Sequence, residues 1–188
     1  MDFIVFLDVD WHMWGVHNRQ HFLIREVARR IEGKGQVLAL ERPVCLITGP
    51  FRQRAKFVDW LRGRRGLRKE GKNLFLYTPF VWLHNVLAIT ITGLTRANRW
   101  LIREQVNRLM RQLGFRREVL VAWVHHPYQL EDIELVRERV LVYDCYDDYF
   151  SQVKGCRLSD LHKREVAILK QSDMVFVASE RLLEAIQG

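Results

Sequence analysis

Short apolar, β-branched runs alternate with amphipathic stretches of helical period along most of this chain, and that alternation predicts an α/β fold on a doubly wound parallel sheet. Two features support the assignment. Several runs, such as Phe3-Ile4-Val5-Phe6-Leu7, are continuously apolar, as a strand covered on both faces requires. Helical stretches stop at glycines, Gly33 with Gly35 and then Gly114, where a chain leaves a helix at little steric cost. The 188 residues suffice for one well-packed domain and fall short of two ordinary ones.

Strand one is the run from Phe3 to Leu7. After a loop, Leu23, Val27, Ala28 and Ile31 stand at helical spacing and place a helix over Arg19 to Ile31. Val37 to Leu40 is strand two, ended by Pro43. The next unit is less regular. Arg52 to Lys72 is crowded with arginine and lysine and reads as a short helix near Gln53–Leu61, then an exposed, mobile loop. Leu74 to Tyr77 is strand three, closed by Pro79. From Val81 to Thr95, threonines and isoleucines favour strand while the length favours helix, so both readings stay open. Ile102, Val106, Leu109 and Leu113 make a helix of Arg99 to Leu113. Val119 to Val124 is strand four and Val140 to Tyr143 strand five, with a short helix over Leu130 to Arg137 between them. Leu158, Leu161, Ile168 and Leu169 mark a further helix, Met174 to Ala178 is strand six, and Ser179 opens a last helical segment. The succession is Rossmann-like, and no internal repeat interrupts it.

Composition narrows the function classes. Hydrophobic residues make up 48% and charged residues 28%, a globular mixture. No apolar run reaches the roughly 18 residues that span a bilayer, and Met1-Asp2-Phe3-Ile4 has no basic region ahead of its apolar stretch, so the start reads as a strand and not a signal peptide. Cys45, Cys145 and Cys156 are odd in number and lack C-x-x-C spacing, which argues against a disulfide framework or structural zinc and fits a reducing cytosol. The formal charge of +8 predicts attraction to an anion: nucleic acid, acidic lipid headgroups or a phosphorylated substrate. Charge alone does not choose among them, and a solvated basic face would carry the same number.

In an open parallel sheet the chemistry should lie beyond the carboxyl ends of the strands. Four such ends carry notable residues. After strand one comes Asp8-Val9-Asp10-Trp11-His12-Met13-Trp14-Gly15-Val16-His17-Asn18-Arg19, where Gly15 and a helix N-terminus could bring N–H groups to a diphosphate, with Arg19 placed for a phosphate. The same loop could instead pack its tryptophans on a domain surface. No G-x-G-x-x-G is present. After strand four stand His125 and His126, a poor metal pair because neighbours in an extended chain point apart. After strand five, Asp144, Asp147 and Asp148 crowd together, so one carboxyl is expected to have a raised pKa suited to general-base work. Capping or cation binding would use the same residues. Last, Glu165 interrupts an apolar stripe with Leu161 and Ile168 and needs a partner such as an arginine or backbone donors; it is taken together with Ser179 after strand six.

On these residues the chain resembles the N-terminal domain of GT-B glycosyltransferases of the group-one type that bacteria use in exopolysaccharide assembly. The resemblance rests on Val142-Tyr143-Asp144-Cys145-Tyr146-Asp147-Asp148-Tyr149, on Glu165 through Glu180, on Trp11 through His21, and on Val37 to Pro43, in that family's order and spacing. It implies one half of a two-domain enzyme: residues 1–188 as the acceptor-side Rossmann-like domain, ending near a linker, with the donor-binding C-terminal domain absent. The implied reaction moves a sugar from a nucleotide-diphosphate donor to a glycan or lipid-linked acceptor, without cofactor or obligatory metal. Asp144, Asp147 and Asp148 then become the catalytic candidates, Asp144 or Asp147 as base; Gly15 and Arg19 face the donor phosphates; Trp14, His125 and His126 touch the acceptor. The basic stretch from Arg52 to Lys72, with Phe57 and Trp60, would dock on the inner membrane face. The alternative is a non-catalytic basic domain that binds nucleic acid or another anionic partner, although no nucleic-acid-binding signature accompanies it. A nucleotide-dependent oxidoreductase or epimerase would need the glycine fingerprint that is missing.

Overall fold

The computed structural model of the chain describes residues 1–11, 19–63, 66–82, 92–133, 136, 140–149 and 156–187. Its main sheet comprises β1 (Asp2–Phe6), β2 (Val37–Leu40), β4 (Leu67–Lys69), β5 (Leu74–Tyr77), β7 (Leu120–Val124), β8 (Val140–Cys145) and β9 (Met174–Val177), in spatial order β4-β5-β2-β1-β7-β8-β9. All pairs are parallel except β4 against β5. The chain steps from β1 outward through β2 to β5, then returns to the other side of β1 as β7, β8 and β9. That is the Rossmann-like doubly wound order, with its reversal between β1 and β7.

Residue alternation along the strands sorts two cores. On one face Ile4, Phe6, Leu38, Leu40, Ala122 and Val124 meet Ile102, Val106 and Met110 of α4 (Thr92–Gln112) and Ile168 of α6 (Cys156–Gln171). On the other, Val5, Leu7, Val37, Ala39, Val121 and Trp123 meet Ile24 and Ala28 of α1 (Arg19–Arg30). Ile24 is fully buried, and a side chain of that size contributes about 1.5–3 kcal/mol on leaving water. Gly114, at φ 72°, ends α4: Phe115 N–H returns to Met110 O at 2.9 Å in the conformation that glycine adopts without strain.

Four expectations are corrected. The stretch after α3 (Arg54–Leu61), which follows the short α2 (Gly49–Arg52), is not all loop, because Leu67–Lys69 pairs antiparallel with β5 as an edge strand, its basic side chains turned to solvent or to Glu41. A small second sheet joins β3 (Val44–Cys45) and β6 (Phe80–Val81), where Val81 had both readings open; residues 83–91 lie outside the described residues. The fourth helix starts at Thr92, a turn and more ahead of the periodic apolar set. β8 continues to Cys145, so Asp144 sits within the strand opposite Phe176 and not in the loop beyond it. The strand's period explains the consequence. Tyr143 and Cys145 face α6, where Tyr143 Oη donates to Glu165 at 2.7 Å; Asp144 faces α1. Glu165 therefore meets a phenol, not an arginine, and both Tyr143 and Cys145 titrate higher than usual, first because they are buried and then because that carboxylate adjoins them, Cys145 at about 11.

Candidate functional site

Ligands in a doubly wound sheet collect beyond the strand ends where the order reverses. Between β1 and β7 that crevice is held by Gln129, buried in the 3-10 turn Pro127–Gln129. Its Oε1 accepts from the N–H groups of His125 (2.6 Å) and His126 (3.0 Å), and its Nε2 donates to Phe6 O on β1 at 2.8 Å. Pro127 opens the turn, where no N–H is needed. Tyr149 Oη donates to His125 O at 3.0 Å, which brings the loop after β8 to the same corner. Tyr146 Oη donates to Asp8 Oδ2 and receives Gln20 Nε2 of α1 at 3.1 Å.

Arg19 and Asp144 meet here. Arg19 Nη2 donates to Asp144 Oδ1 at 2.9 Å; the arginine side chain is 43% exposed and the carboxylate 1%. The other oxygen, Oδ2, stands 3.6 Å from His125 Nδ1, beyond hydrogen-bond length. His125 is fully buried, its ring 5.5 Å from that of Trp123 and 6.1 Å from that of Tyr146. Among the described residues neither nitrogen of His125, nor Asp144 Oδ2, nor Asp8 Oδ1 has a hydrogen-bond partner. Each such buried group costs about 1–3 kcal/mol, a concentration of unspent polar capacity in one corner. Arg19 thus faces a carboxylate as well as the crevice, so its charge is already balanced on one side.

The start of the loop after β1 is anchored from β2. Glu41, one residue past that strand, is buried and accepts from Trp11 N at 2.9 Å and from the Thr78 hydroxyl, and it forms an ion pair with Arg68, whose Nη2 lies 3.1 Å away. Burial pushes its carboxyl up, but Thr78, Arg68, Trp11 and Lys56 outweigh that and leave it below the usual range. Lys56 of α3 bonds Asp10 Oδ1 at 2.5 Å and Arg42 O at 2.7 Å. Trp11 is itself buried, its ring 4.1 Å from that of His21. Trp14 and Gly15 lie outside the described residues.

A cavity of about 510 Å³ opens beside this corner, on the α4 face, walled by Phe6, Leu40, Pro43, Val81 and Ile102 and edged by Asp8, Arg42, His126 and Asp132. His126 Nδ1 accepts from Tyr128 N at 3.1 Å, and its ring stacks on Tyr128 with centroids 5.2 Å apart. Burial pushes the imidazole down to about 4, with Asp8 opposing and Arg42 assisting, so it is neutral at physiological pH and carries its proton on Nε2. Asp132, half-buried in the short helix α5 (Leu130–Ile133), is raised to about 7, first by burial and then by Glu131, against Arg99. Glu131 takes the cations, Arg99 at 2.5 Å and Arg164 at 3.2 Å, and among the described residues Asp132 forms no ion pair.

The expected carboxylate cluster is therefore divided. Asp144 is buried under Arg19, whereas Asp147 and Asp148 line a separate hollow of about 200 Å³ with Tyr146, Ser179 and Arg181. Sequence reasoning missed Gln129 and Asp132. The spacing His126-x-x-Gln129, with Pro127 opening the turn, matches a capping box and was a usable signal for Gln129. An acid in a helix's first turn ordinarily reads as a dipole partner, so Asp132 gave none. Among the described residues no group of three or more His, Cys, Asp or Glu is arranged to hold a metal ion, and no helix is long and apolar enough to cross a membrane. No protein-family model matches the chain, and a search of curated proteins finds no match either.

Proposed function

We propose that the chain is the acceptor-side half of a glycosyltransferase, taking part in transfer of a sugar from a nucleotide-diphosphate donor to a glycan or lipid-linked acceptor. The observation that carries the reading is the meeting of Arg19 and Asp144 at 2.9 Å, which joins the helix after the first loop to β8 beside the switch point. Residues brought from the first, fourth and fifth parallel strands of the chain thus border one crevice, as a transferase needs if acceptor and donor are to approach together. Asp147 and Asp148 line a hollow of their own with Tyr146, Ser179 and Arg181, open to a substrate hydroxyl, and either would serve as base. Asp144 acts in this reading as a positioning residue that fixes Arg19. The exposed basic and apolar surface near α3 would hold the protein against an anionic lipid face.

Saturation-transfer NMR on the chain checks the assignment. Farnesyl-diphosphate-linked glucose is expected to bind more tightly than UDP-glucose or GDP-mannose, as an acceptor-side domain should. Tight binding of NAD, or retention of RNA at physiological salt, with no binding of the lipid-linked sugar, overturns it.

A further inference from the structure

The cavity beside the switch point holds chemistry that the crevice residues above do not use. Its walls are apolar, from Phe6, Leu40, Pro43, Val81 and Ile102, while its rim is polar. Its volume, about 510 Å³, lies within the range of roughly 300–1,000 Å³ typical of small-molecule sites. Asp8 is 7% exposed and its Oδ1 has no hydrogen-bond partner among the described residues. Asp132 makes no ion pair among the described residues, because Glu131 has taken Arg99 and Arg164. His126 offers an Nε2–H on a ring locked by Tyr128 and Tyr149. Apolar walls with two acceptors and one neutral donor on the rim suit a ring that has a carbon face and a hydroxylated edge.

We infer that this cavity binds an uncharged hydroxylated ring of the sugar or polyol class, with Asp8 and Asp132 accepting hydrogen bonds from its hydroxyls and His126 donating one. The inference rests on the transfer reading for the role of that ring, as an acceptor sugar behind the one that carries the attacking hydroxyl, which leaves the attacking sugar to Asp147 and Asp148. A carboxylate accepts from a hydroxyl more strongly than a neutral acid does. Burial holds the Asp132 carboxyl up at about 7, with Glu131 adding to the rise and Arg99 opposing it; Asp8, His126, Glu41, Arg42 and the phenol of Tyr128 are the other charged or titratable groups around the cavity. The ligand therefore favours the ionised form, tightens as pH rises through neutrality, and releases a proton on binding.

The test is methyl NMR of the chain titrated with methyl α-glucoside, methyl α-mannoside and myo-inositol, at about pH 8 and about pH 5. Shifts are expected at Leu40, Val81 and Ile102 and not at Leu67 on the far edge, with binding about tenfold weaker at the lower pH. Asp132→Asn is expected to retain the native methyl spectrum and to bind weakly at both pH values, and Asp8→Asn to weaken binding without removing its pH dependence. Absence of cavity shifts with every probe overturns the inference, as do shifts unchanged in both variants. Because no donor enters the experiment, its failure is separable from that of the transfer reading. Binding of the lipid-linked sugar with silent cavity methyls sinks only the cavity; cavity shifts with the simple sugars in a protein that does not bind the lipid-linked sugar sink only the transfer reading.

Discussion

Arg19 and Asp144 lie 125 positions apart in sequence and share one charge-assisted bond of 2.9 Å, yet they are not equivalent. The carboxylate is 1% exposed and the guanidinium side chain 43%, so the two truncations leave different remnants. Arg19→Ala strands a buried anion, a change that costs about 3 kcal/mol or more. Asp144→Asn removes the charge and keeps the shape and an oxygen for Arg19, so its cost should be nearer 1 kcal/mol. Urea unfolding of the two variants measures the difference; a larger loss for Asp144→Asn would show that the buried carboxylate is stabilised mainly by something other than Arg19. The sequence placed both residues at strand ends but put all three aspartates in one loop. What it could not supply was the extent of β8. Two further residues of strand turn Asp144 inward and reserve the outer loop for Asp147 and Asp148.

At the scale of elements, the strand positions of the parallel core were readable because continuous apolar runs have few other uses. Val37 to Leu40 and Leu74 to Tyr77 fall where their β-branched and apolar residues put them. β4 was hidden since Leu67-Arg68-Lys69 has neither the length nor the apolar content of a strand, and its place is set by pairing with β5. α5 was readable as a helix near Leu130, while the importance of its second residue pair depended on α4 and α6 packing around it. The turn between α1 and β2 carries its own constraint. A Cβ on Gly35 would fall 1.8 Å from the carbonyl oxygen of Met1, a contact relieved only by moving backbone at the start of β1. Asp2 adds to the same junction, accepting from Gln36 N at 3.0 Å and Arg116 N at 2.8 Å. Burial raises its carboxyl, and the bonds from Arg116 and Gln36 outweigh that and lower it overall. Gly35→Ala is accordingly expected to destabilise the chain by about 2–4 kcal/mol, whereas Gly71→Ala, with only Leu74 Cβ near at 3.6 Å, should stay within about 0.5 kcal/mol. Thermal unfolding of the pair decides it, and equal melting temperatures would mean that the β1 start yields freely.

For the whole molecule, the charge of +8 is the property most available to a partner. Phe51 is 88% exposed and Leu61 62%, with Arg54 and Arg62 exposed beside them in sequence on and after α3. On α4, Trp100 is 64% exposed between Arg96 and Arg103. Basic residues near an anionic bilayer contribute about 1 kcal/mol each. Replacing Arg54 and Arg62 by Gln should then lower partitioning onto phosphatidylglycerol vesicles by about thirtyfold in flotation, with little change on neutral ones. Equal flotation with neutral and anionic vesicles would remove the electrostatic contact. The charge was plain from the sequence, and so was the doubly wound order, but which face carries the exposed aromatics depends on packing that periodicity does not encode.

Gln129 has a further meaning for kinetics. Because one side chain staples the end of β1 to the two N–H groups that follow β7, the floor of the crevice is already assembled before anything arrives. A guest would spend little of its interaction energy on ordering that floor. Its arrival rate should be governed by diffusion and by traffic through the rim, with no slow rearrangement of the sheet between encounter and fit.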